Sequence, residues 1–373
     1  MTPKAVHVTT VHHALDSRIL FKECIALRKA GYQVVLVAPH PADEVIEGVQ
    51  IRSLPPARNR LDRMWRLTGL ALDLCRREGG DVYHLHDAEL LPRASALKRL
   101  GGRVIYDMHE CMPKALAASK PYLPRWIAPL VARIYTWFER YWLRDVAVVF
   151  AELSYKDGYR WVRRRVDVLN LPDVGQLEEI DEPKNAIPTV CYFGLIAGLR
   201  SSWEMLRAVR LLRDEGLRVD FECIGPTDEN HGLELREYVE QHGLDGVRLR
   251  GFRPAGVGHR ILARCHIGLA VLYPTPNMRS SYPTKMFEYM ALGLPVIVSD
   301  FPLYRGIVDA AGCGLCVEPG DAGALAAAIR WLIENPAEAR AMGERGRRAA
   351  RERYNWATEK RKLLSFYEEL LAE

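Results

Sequence analysis

The chain has 373 residues, of which 49% are hydrophobic and 27% are charged, an ordinary balance for a globular protein of two domains. No uncharged apolar stretch of roughly 18 residues occurs, which argues against a transmembrane helix, and the N-terminus shows no signal-peptide pattern, so we expect a cytoplasmic protein. The net charge of +5 is uneven, because residues 1–175 carry 27 Lys and Arg against 19 Asp and Glu. A basic half suits an acidic partner: phospholipid headgroups, a lipid diphosphate or nucleic acid.

Short apolar strands alternate with helical stretches along the chain, which is typical of parallel, doubly wound sheets. In the first half the pattern predicts strands near residues 5–10, 33–38, 82–85, 104–106, 147–150 and 166–169. It predicts helices near residues 17–30, 61–77, 90–100, 124–144 and 154–164. This half should therefore form one Rossmann-like domain over residues 1–172.

A second series of elements begins after a segment rich in proline and acidic residues, 173–189, which we interpret as a linker. Strands are predicted near residues 190–193, 219–224, 247–250, 267–271, 296–298 and 315–317, and three final helices near 322–335, 336–354 and 356–371. The predicted fold is α/β, with two Rossmann-like doubly wound domains facing a central cleft, the second over residues 190–355. Ligands of such sheets bind at the carboxyl ends of the strands.

The most informative stretch is SYPTKMFEYMALGLPVIVSD, residues 281–300. Pro283 and an N-capping Thr284 lead into a predicted helix over 285–292, and a buried strand follows. A helix N-terminus with Lys285 beside it suits a phosphate, and the Glu288 carboxylate can accept hydrogen bonds from both hydroxyls of a ribose. This combination indicates a nucleoside diphosphate site. The alternative is an ordinary helix–strand unit whose charged side chains are solvated.

Seven stretches in chain order resemble those of a known family. They are LDSRILFKECIALRKAGYQVVLVAP, DVYHLHDAELLP, VIYDMHE, VDVLNLPD, CYFGLIAGLRSSWEMLRAV, SYPTKMFEYMALGLPVIVSD and CGLCVEPGDAGALAAAIR. Together they resemble a bacterial branch of the family 4 glycosyltransferases, which have the GT-B fold, over nearly the whole chain. The resemblance implies sugar transfer from a nucleotide diphosphate donor with retention of the anomeric configuration. It also implies a donor-binding C-terminal domain, an acceptor-binding N-terminal domain and a last helix, about 356–373, that packs back on the N-terminal domain.

On the donor side, the resemblance implies that Arg200 and Lys285 stabilise the β-phosphate as it leaves. The donor-binding residues would be Gly194, Ser280, Ser281, Thr284 and Glu288. Most relatives carry a further Glu eight residues before Glu288, where this chain has Ser280, so serine hydroxyls or backbone amides would have to hold the sugar. No divalent metal and no other cofactor is expected, and the sequence contains no Asp-x-Asp pair.

His109 ends the strand of the YDMHE stretch, where relatives place a histidine near the reacting groups. The resemblance implies hydrogen bonding rather than general base catalysis, because the departing phosphate can take the acceptor proton; a purely structural histidine is the alternative. Further acceptor-side candidates are His12, His13, Asp16, Arg18, His86, Asp87, Glu89 and Glu110. Asp16 and Asp87 can equally be helix caps.

Residues 121–144, PYLPRWIAPLVARIYTWFERYWLR, mix aromatic side chains with arginines. This composition suits a membrane interface, and the basic first half, with Arg58, Arg60, Arg63 and Arg66, supports that interpretation. The alternative is a helix that packs its aromatic face on the core. Membrane contact would indicate a peripheral protein on the inner face of the cell membrane and a lipid-linked acceptor.

The leading hypothesis is a retaining, metal-independent glycosyltransferase of the hexosyltransferase type, with a UDP-sugar more expected than a GDP-sugar. The acceptor would be a hydroxyl of a lipid-linked, glycan or small molecule, as in polysaccharide biosynthesis. A nucleotide-sugar 2-epimerase shares the architecture but needs acid–base carboxylates that the sequence does not identify. A basic nucleic-acid-binding protein is the alternative from a different class, but no known module appears, so no nucleic acid is expected.

Overall fold

The computed structural model describes residues 2–117 and 126–372. Within them the chain divides into two compact units, the first made of residues 2–170 and 357–372 and the second of residues 171–356. Residues 173–189, which we interpreted as a linker, belong to the second unit, because Val174 and Leu177 of the helix Val174–Glu178 are buried there. The last helix, Trp356–Ala372, belongs almost entirely to the first unit.

The first unit is built on an eight-stranded sheet in the order β3-β4-β2-β1-β5-β6-β7-β8, parallel except for the antiparallel pair β3–β4. The strands are β1 Lys4–Val8, β2 Gln33–Pro39, β3 Glu44–Ile46, β4 Val49–Leu54, β5 Val82–Leu85, β6 Arg103–Met108, β7 Ala147–Phe150 and β8 Arg165–Asp167. β5 and β7 are buried along their whole length, as central strands covered by helices on both faces require. β3 and β4 were not predicted, because their short runs mix polar and apolar residues.

The second unit contains a six-stranded, wholly parallel sheet in the order β11-β10-β9-β12-β13-β14. The strands are β9 Thr189–Phe193, β10 Asp220–Ile224, β11 Val247–Leu249, β12 Ile267–Ala270, β13 Val296–Ser299 and β14 Gly314–Val317. The chain proceeds from β9 to one edge and then returns to β12 on its other side. The carboxyl ends of β9 and β12 therefore flank a topological switch point, where parallel sheets bind ligands.

Helices cover both sheets. In the first unit they are Ile19–Cys24, Ile25–Lys29, Arg60–Asp62, Arg63–Leu67, Thr68–Glu78, Ala88–Arg93, Ala94–Lys98, Met112–Ala117, Ala128–Trp142, Leu153–Tyr159 and Trp356–Ala372. In the second they are Val174–Glu178, Gly198–Arg200, Ser202–Asp214, Glu229–Gln241, Ala255–Ala263, Pro276–Ser280, Thr284–Ala291, Pro302–Ala311, Ala322–Glu334 and Pro336–Glu352. Among the described residues, none of these helices is both long and apolar enough to cross a bilayer.

Candidate functional site

The predicted phosphate-binding residues of the second unit lie at the carboxyl end of β9. Gly194 follows this strand with a φ of 135°, a conformation that favours glycine. A Cβ atom at this position would lie 3.2 Å from Lys285 Nζ, so glycine also leaves room for the lysine. Arg200 ends the short helix Gly198–Arg200 a few residues later. The structure therefore brings Gly194, Arg200 and Lys285 to one end of the sheet.

Lys285 is only 8% exposed, and its ammonium group lies 3.8 Å from the centre of the Tyr192 ring. Burial lowers the pKa of this lysine, the Arg200 guanidinium lowers it further, and Glu288 raises it in part; the result is a pKa of about 7. The Arg200 guanidinium repels the charged form of Lys285. An anionic ligand at this position would relieve that repulsion.

Glu288 lies in the helix Thr284–Ala291, one turn after Lys285, and its side chain is 14% exposed. Its Oε1 is 3.2 Å from His259 Nε2, on the helix Ala255–Ala263. The histidine was not predicted, because nothing in its local sequence distinguishes it from any polar helix residue. Carboxylate and imidazole together offer an acceptor and a possible donor to a diol.

The three predicted hydroxyl residues lie in or between two helices. Residues 276–280 form the short helix Pro276–Ser280, and the Ser280 hydroxyl donates to its Pro276 carbonyl at 3.1 Å. Ser281 Oγ lies 3.5 Å from the Met278 carbonyl. Thr284 is the first residue of the next helix rather than its N-cap, which is Pro283, so the predicted capping role is wrong.

In the first unit, Asp87 organises the loop that follows β1. Its Oδ2 accepts hydrogen bonds from Thr9 Oγ1 at 2.8 Å, from Thr10 N at 2.6 Å and from Val11 N at 3.2 Å. Its side chain makes no capping bond to the helix Ala88–Arg93 that follows it. Asp87 is therefore the N-cap of this helix by position only, and its side chain instead fixes a loop at the carboxyl edge of the sheet.

Glu89 contacts the same loop through Thr10 Oγ1 at 2.6 Å and also binds Arg63 Nε at 2.9 Å. Arg66 pairs with Asp62. Arg63 and Arg66, which we associated with a membrane surface, are therefore engaged by carboxylates of their own unit.

His12 lies between two carboxylates, with Nδ1 3.6 Å from Asp16 and Nε2 3.6 Å from Asp87. The contact with Asp16 raises the His12 pKa, against an opposing effect of burial. Asp16 also accepts two backbone N–H groups at the start of the following helix, in the manner of a cap. His13 is exposed, and its ring contacts His40 instead of this group.

Arg18 does not line the site as predicted, since it is 3% exposed and lies in the interior of the first unit. Its Nε and Nη2 bind the two oxygens of Asp107 at 2.9 Å each, and its Nη1 donates to the Val168 carbonyl. Glu23 Oε1 lies 3.0 Å from the same Nε, which already donates to Asp107. Burial and the neighbouring Asp107 raise the pKa of Glu23 well above its usual value, so we take this carboxyl as neutral.

Asp107 also holds His109, whose Nε2 lies 2.9 Å from Asp107 Oδ2. Burial alone would raise the Asp107 pKa, but Arg18 and His109 lower it well below its usual value, so the carboxylate is charged. His86 Nδ1 lies 3.4 Å from the same oxygen and 3.3 Å from His109 Nε2. His109 and the adjacent Glu110 are half-buried and lie directly after β6.

Several buried polar residues of this cluster were missed by sequence reasoning. They are His7, Glu23, His84, Asp107 and Tyr367. Register explains part of the grouping, since His7 of β1 is paired with His84 of β5. The available signal was alternation: His84 and His86, like Asp107 and His109, are two residues apart and so lie on one face of the sheet.

Two sets of side chains among the described residues could hold a metal ion: His7 with Glu23, His84 and His86, and His86 with Asp107 and His109. Arg18 argues against a cation in both, because its guanidinium contacts Glu23 in the first set and Asp107 in the second. A divalent ion would have to displace that buried charge or share its carboxylates.

Comparison with known proteins agrees with this division of the chain. A model described as "Glycosyltransferase Family 4" matches residues 17–152, and one described as "Glycosyl transferases group 1" matches residues 197–349. The MMP alpha-(1->4)-mannosyltransferase of Mycolicibacterium hassiacum is 30% identical over 98 residues, 26% of this chain and 24% of that protein.

Solved structures share the fold over nearly the full length. A glycosyltransferase from Rickettsia africae aligns with a TM-score of 0.76 and 12% identity, covering 99% of both chains. Sucrose-phosphate synthase from Thermosynechococcus elongatus aligns with a TM-score of 0.75 and 17% identity, again covering 99% of both chains. HepE of Anabaena, in complex with UDP and glucose, aligns with a TM-score of 0.71 and 13% identity over 98% of this chain and 99% of that one. With the two family models covering well over half of its length, the chain belongs to the family 4 glycosyltransferases and has the GT-B fold.

Proposed function

We propose that the protein transfers a sugar from a nucleoside diphosphate sugar, UDP before GDP, to an acceptor hydroxyl with retention of configuration and without a metal ion. The observation that carries the proposal is the grouping of Gly194, Arg200, Lys285 and Glu288 around the carboxyl end of β9. It combines two cations, an open backbone position and a carboxylate within one site. The UDP and glucose bound by HepE of Anabaena support the choice of base.

In this proposal the two cations act on the leaving group. Charge develops on the β-phosphate as the bond to the sugar breaks, and Arg200 and Lys285 stabilise it more strongly than they stabilise the bound donor. They take the place that a divalent ion has in other transferases. Glu288 accepts the ribose hydroxyls, with His259 beside it, and the departing phosphate takes the proton of the acceptor.

On the acceptor side, His109 is proposed to hydrogen-bond a substrate hydroxyl. Its Nε2 lies 2.9 Å from Asp107 Oδ2, so in the neutral ring Nδ1 is the nitrogen that can accept a hydrogen bond. His12, Asp87 and Glu89 shape the neighbouring loop, and Glu110 is proposed to orient the acceptor. Arg18 donates hydrogen bonds to Asp107 from the interior of the first unit and is not proposed to contact substrate.

Calorimetric titration of UDP and GDP, without metal, tests the donor site. We expect micromolar binding of UDP that is weakened at least tenfold in Glu288→Ala, since each bond to a charged acceptor contributes about 1.5–3 kcal/mol. Glu288→Gln keeps the shape of the side chain but not its charge, so its affinity for UDP should lie between those of the wild type and Glu288→Ala. Glu237→Ala, an exposed residue of the helix Glu229–Gln241, is the matched control.

Undiminished binding in Glu288→Ala would refute the ribose role. Absence of binding by either nucleotide would refute the donor class, and DNA retention under the same conditions would favour the nucleic-acid alternative. Product analysis separates transfer from epimerisation, because only transfer consumes an acceptor.

We further propose that the helix Ala128–Trp142 contacts the inner face of a membrane, where a lipid-linked acceptor would be met. Its inner side buries Ala128, Ala132 and Glu139, and its outer side presents a stripe of apolar residues next to the exposed Arg133 and Arg140. The exposed residues recur every three or four positions: Trp126, Leu130, Ile134, Trp137 and Tyr141. The remaining part of the predicted segment, 121–125, lies outside the described residues.

Charge complementarity supports an anionic surface as the partner. A groove of about 960 Å³ at the end of this helix is lined by Arg140, Arg144, Arg163 and Arg164, with Trp137 and Trp161 beside them and Asp145 as its carboxylate. No carboxylate among the described residues forms an ion pair with Arg140, Arg144 or Arg163. Aromatic side chains with arginines at their rim suit the headgroup region of an anionic bilayer.

Flotation with phosphatidylcholine vesicles, with and without phosphatidylglycerol, tests this contact. We expect the wild type to float with the anionic vesicles at low salt and to be released at high salt, and the double variant Trp137→Ser/Arg144→Ser to remain unbound. Trp331→Ser, which removes an exposed tryptophan of the second unit, should behave as wild type. Failure of the wild type to float at low salt would contradict the proposal.

A further inference from the structure

Three hydrogen bonds link four buried side chains of the first unit, and the last of these side chains, His86, contacts Asp107. His84 Nδ1 lies 2.7 Å from Tyr367 Oη, and Tyr367 Oη lies 3.2 Å from His7 Nε2. His7 Nδ1 lies 2.9 Å from His86 Nε2, and His86 Nδ1 lies 3.4 Å from Asp107 Oδ2. Tyr367 comes from the C-terminal helix, whereas the histidines lie in or directly after β1 and β5.

The donor–acceptor direction of these hydrogen bonds follows from Asp107, the charged group at one end of the series. Burial lowers the pKa of His7, His84 and His86, so each ring is neutral and has one N–H and one lone pair. Asp107 is an anion and accepts, so His86 carries its proton on Nδ1. Its Nε2 therefore accepts from His7 Nδ1–H.

The same assignment of donors and acceptors continues from His7 to His84. His7 Nε2 has only a lone pair left and accepts from the Tyr367 hydroxyl, which in turn accepts from His84 Nδ1–H. The lone pair of His84 Nε2 then faces Glu23, whose Oε2 lies 4.0 Å away and whose carboxyl is neutral. Three rings are thus fixed as the Nδ1–H tautomer by one buried carboxylate and one tyrosine hydroxyl.

The tautomer of His109 depends on the direction of these hydrogen bonds. Its Nε2–H donates to Asp107, and His86 Nδ1 lies only 3.3 Å from the same nitrogen. With the chain reversed, His86 Nδ1 would present a lone pair that competes with Asp107 for the proton of His109. With the proton on His86 Nδ1 this competition does not arise, and His109 Nδ1 stays the acceptor.

We propose that Tyr367 is a positioning residue: its hydroxyl closes the hydrogen-bond chain that holds His109 in the tautomer whose Nδ1 accepts a hydrogen bond from a substrate hydroxyl. The last step, the contact with substrate, rests on the proposed function. The tautomers are a property of the free protein and can be tested without any substrate.

Nitrogen-15 NMR of uniformly labelled wild-type protein reads the tautomers directly. The expected result is Nδ1–H for His7, His84 and His86 and Nε2–H for His109. A protonated, charged ring or an Nε2–H tautomer at His7 or His86 would overturn the proposal, whatever reaction the protein catalyses.

The variant Tyr367→Phe removes the hydroxyl alone, and Tyr83→Phe is its matched control, because Tyr83 is fully buried in the same sheet and its hydroxyl has no hydrogen-bond partner among the described residues. We expect Tyr367→Phe to mix the His7 and His86 tautomers and to lower kcat about tenfold, with the donor KM unchanged. Tyr83→Phe should change neither. Equal behaviour of the two variants would refute the role of Tyr367, and the wild-type spectrum still decides if Tyr367→Phe fails to fold.

Discussion

The affinity for UDP is expected to fall about fiftyfold between pH 7 and pH 9. Lys285 has a pKa of about 7 in the free protein, because it is buried beside Arg200. A bound diphosphate would favour the charged lysine and raise that pKa. Below pH 7 the lysine is already protonated; above it, binding must take up a proton, at a cost of about 1.4 kcal/mol per pH unit.

Calorimetry in two buffers of different ionisation enthalpy measures this proton uptake directly. Lys285→Arg is the matched control, since an arginine stays charged over the whole range while the nucleotide itself titrates as before. The variant should bind UDP with little change from pH 7 to pH 9. A wild type whose affinity is equally flat, with no proton uptake at pH 8, would contradict the assignment of Lys285 to the phosphates.

Asp107→Asn is expected to lower the free energy of unfolding by about 3 kcal/mol, because it removes the charged partner of the buried Arg18. Glu23→Gln should lower the free energy of unfolding much less, since this carboxyl is already neutral. In Asp107→Asn, however, Glu23 lies 3.0 Å from Arg18 Nε and can ionise in place of Asp107. The double variant should therefore lose more unfolding free energy than the two single variants lose in sum.

Urea unfolding at pH 7 of the four proteins in this cycle provides the measurement. Asp157→Asn is the control, because its ion pair with Arg160 is exposed in the same unit and should leave the unfolding midpoint unchanged. Additive costs for the two substitutions would show that Glu23 does not respond to the loss of Asp107, and would contradict the shared role of the two carboxyls.

The grouping of the proposed donor-site residues was predictable because its signals are local. The strand, the glycine after it, and the lysine and glutamate in one turn of helix all fall within short stretches, and the structure places Gly194, Arg200, Lys285 and Glu288 at one end of the second sheet. His259 escaped prediction, since its partner lies 29 residues away and a single histidine in a helix carries no pattern.

The buried cluster of the first unit was less accessible to sequence reasoning. Arg18 and Glu23 face the same carboxylate because the helix Ile19–Cys24 is a π-helix, in which Glu23 N–H bonds to the Arg18 carbonyl five residues earlier. At the ordinary α-helical period of 3.6 residues per turn, Arg18 and Glu23 would be predicted on different faces of the helix. Tyr367 is 283 residues from His84, and only the fold brings them together.

The path of the chain has a consequence for its synthesis. The first unit contains residues 2–170, yet its buried cluster is completed by a tyrosine in the segment 357–372. The second unit is one continuous piece of chain, whereas the first can be completed only after its last helix has been made. A released chain that ends at residue 356 should therefore have a second half that resists protease and a first half that does not.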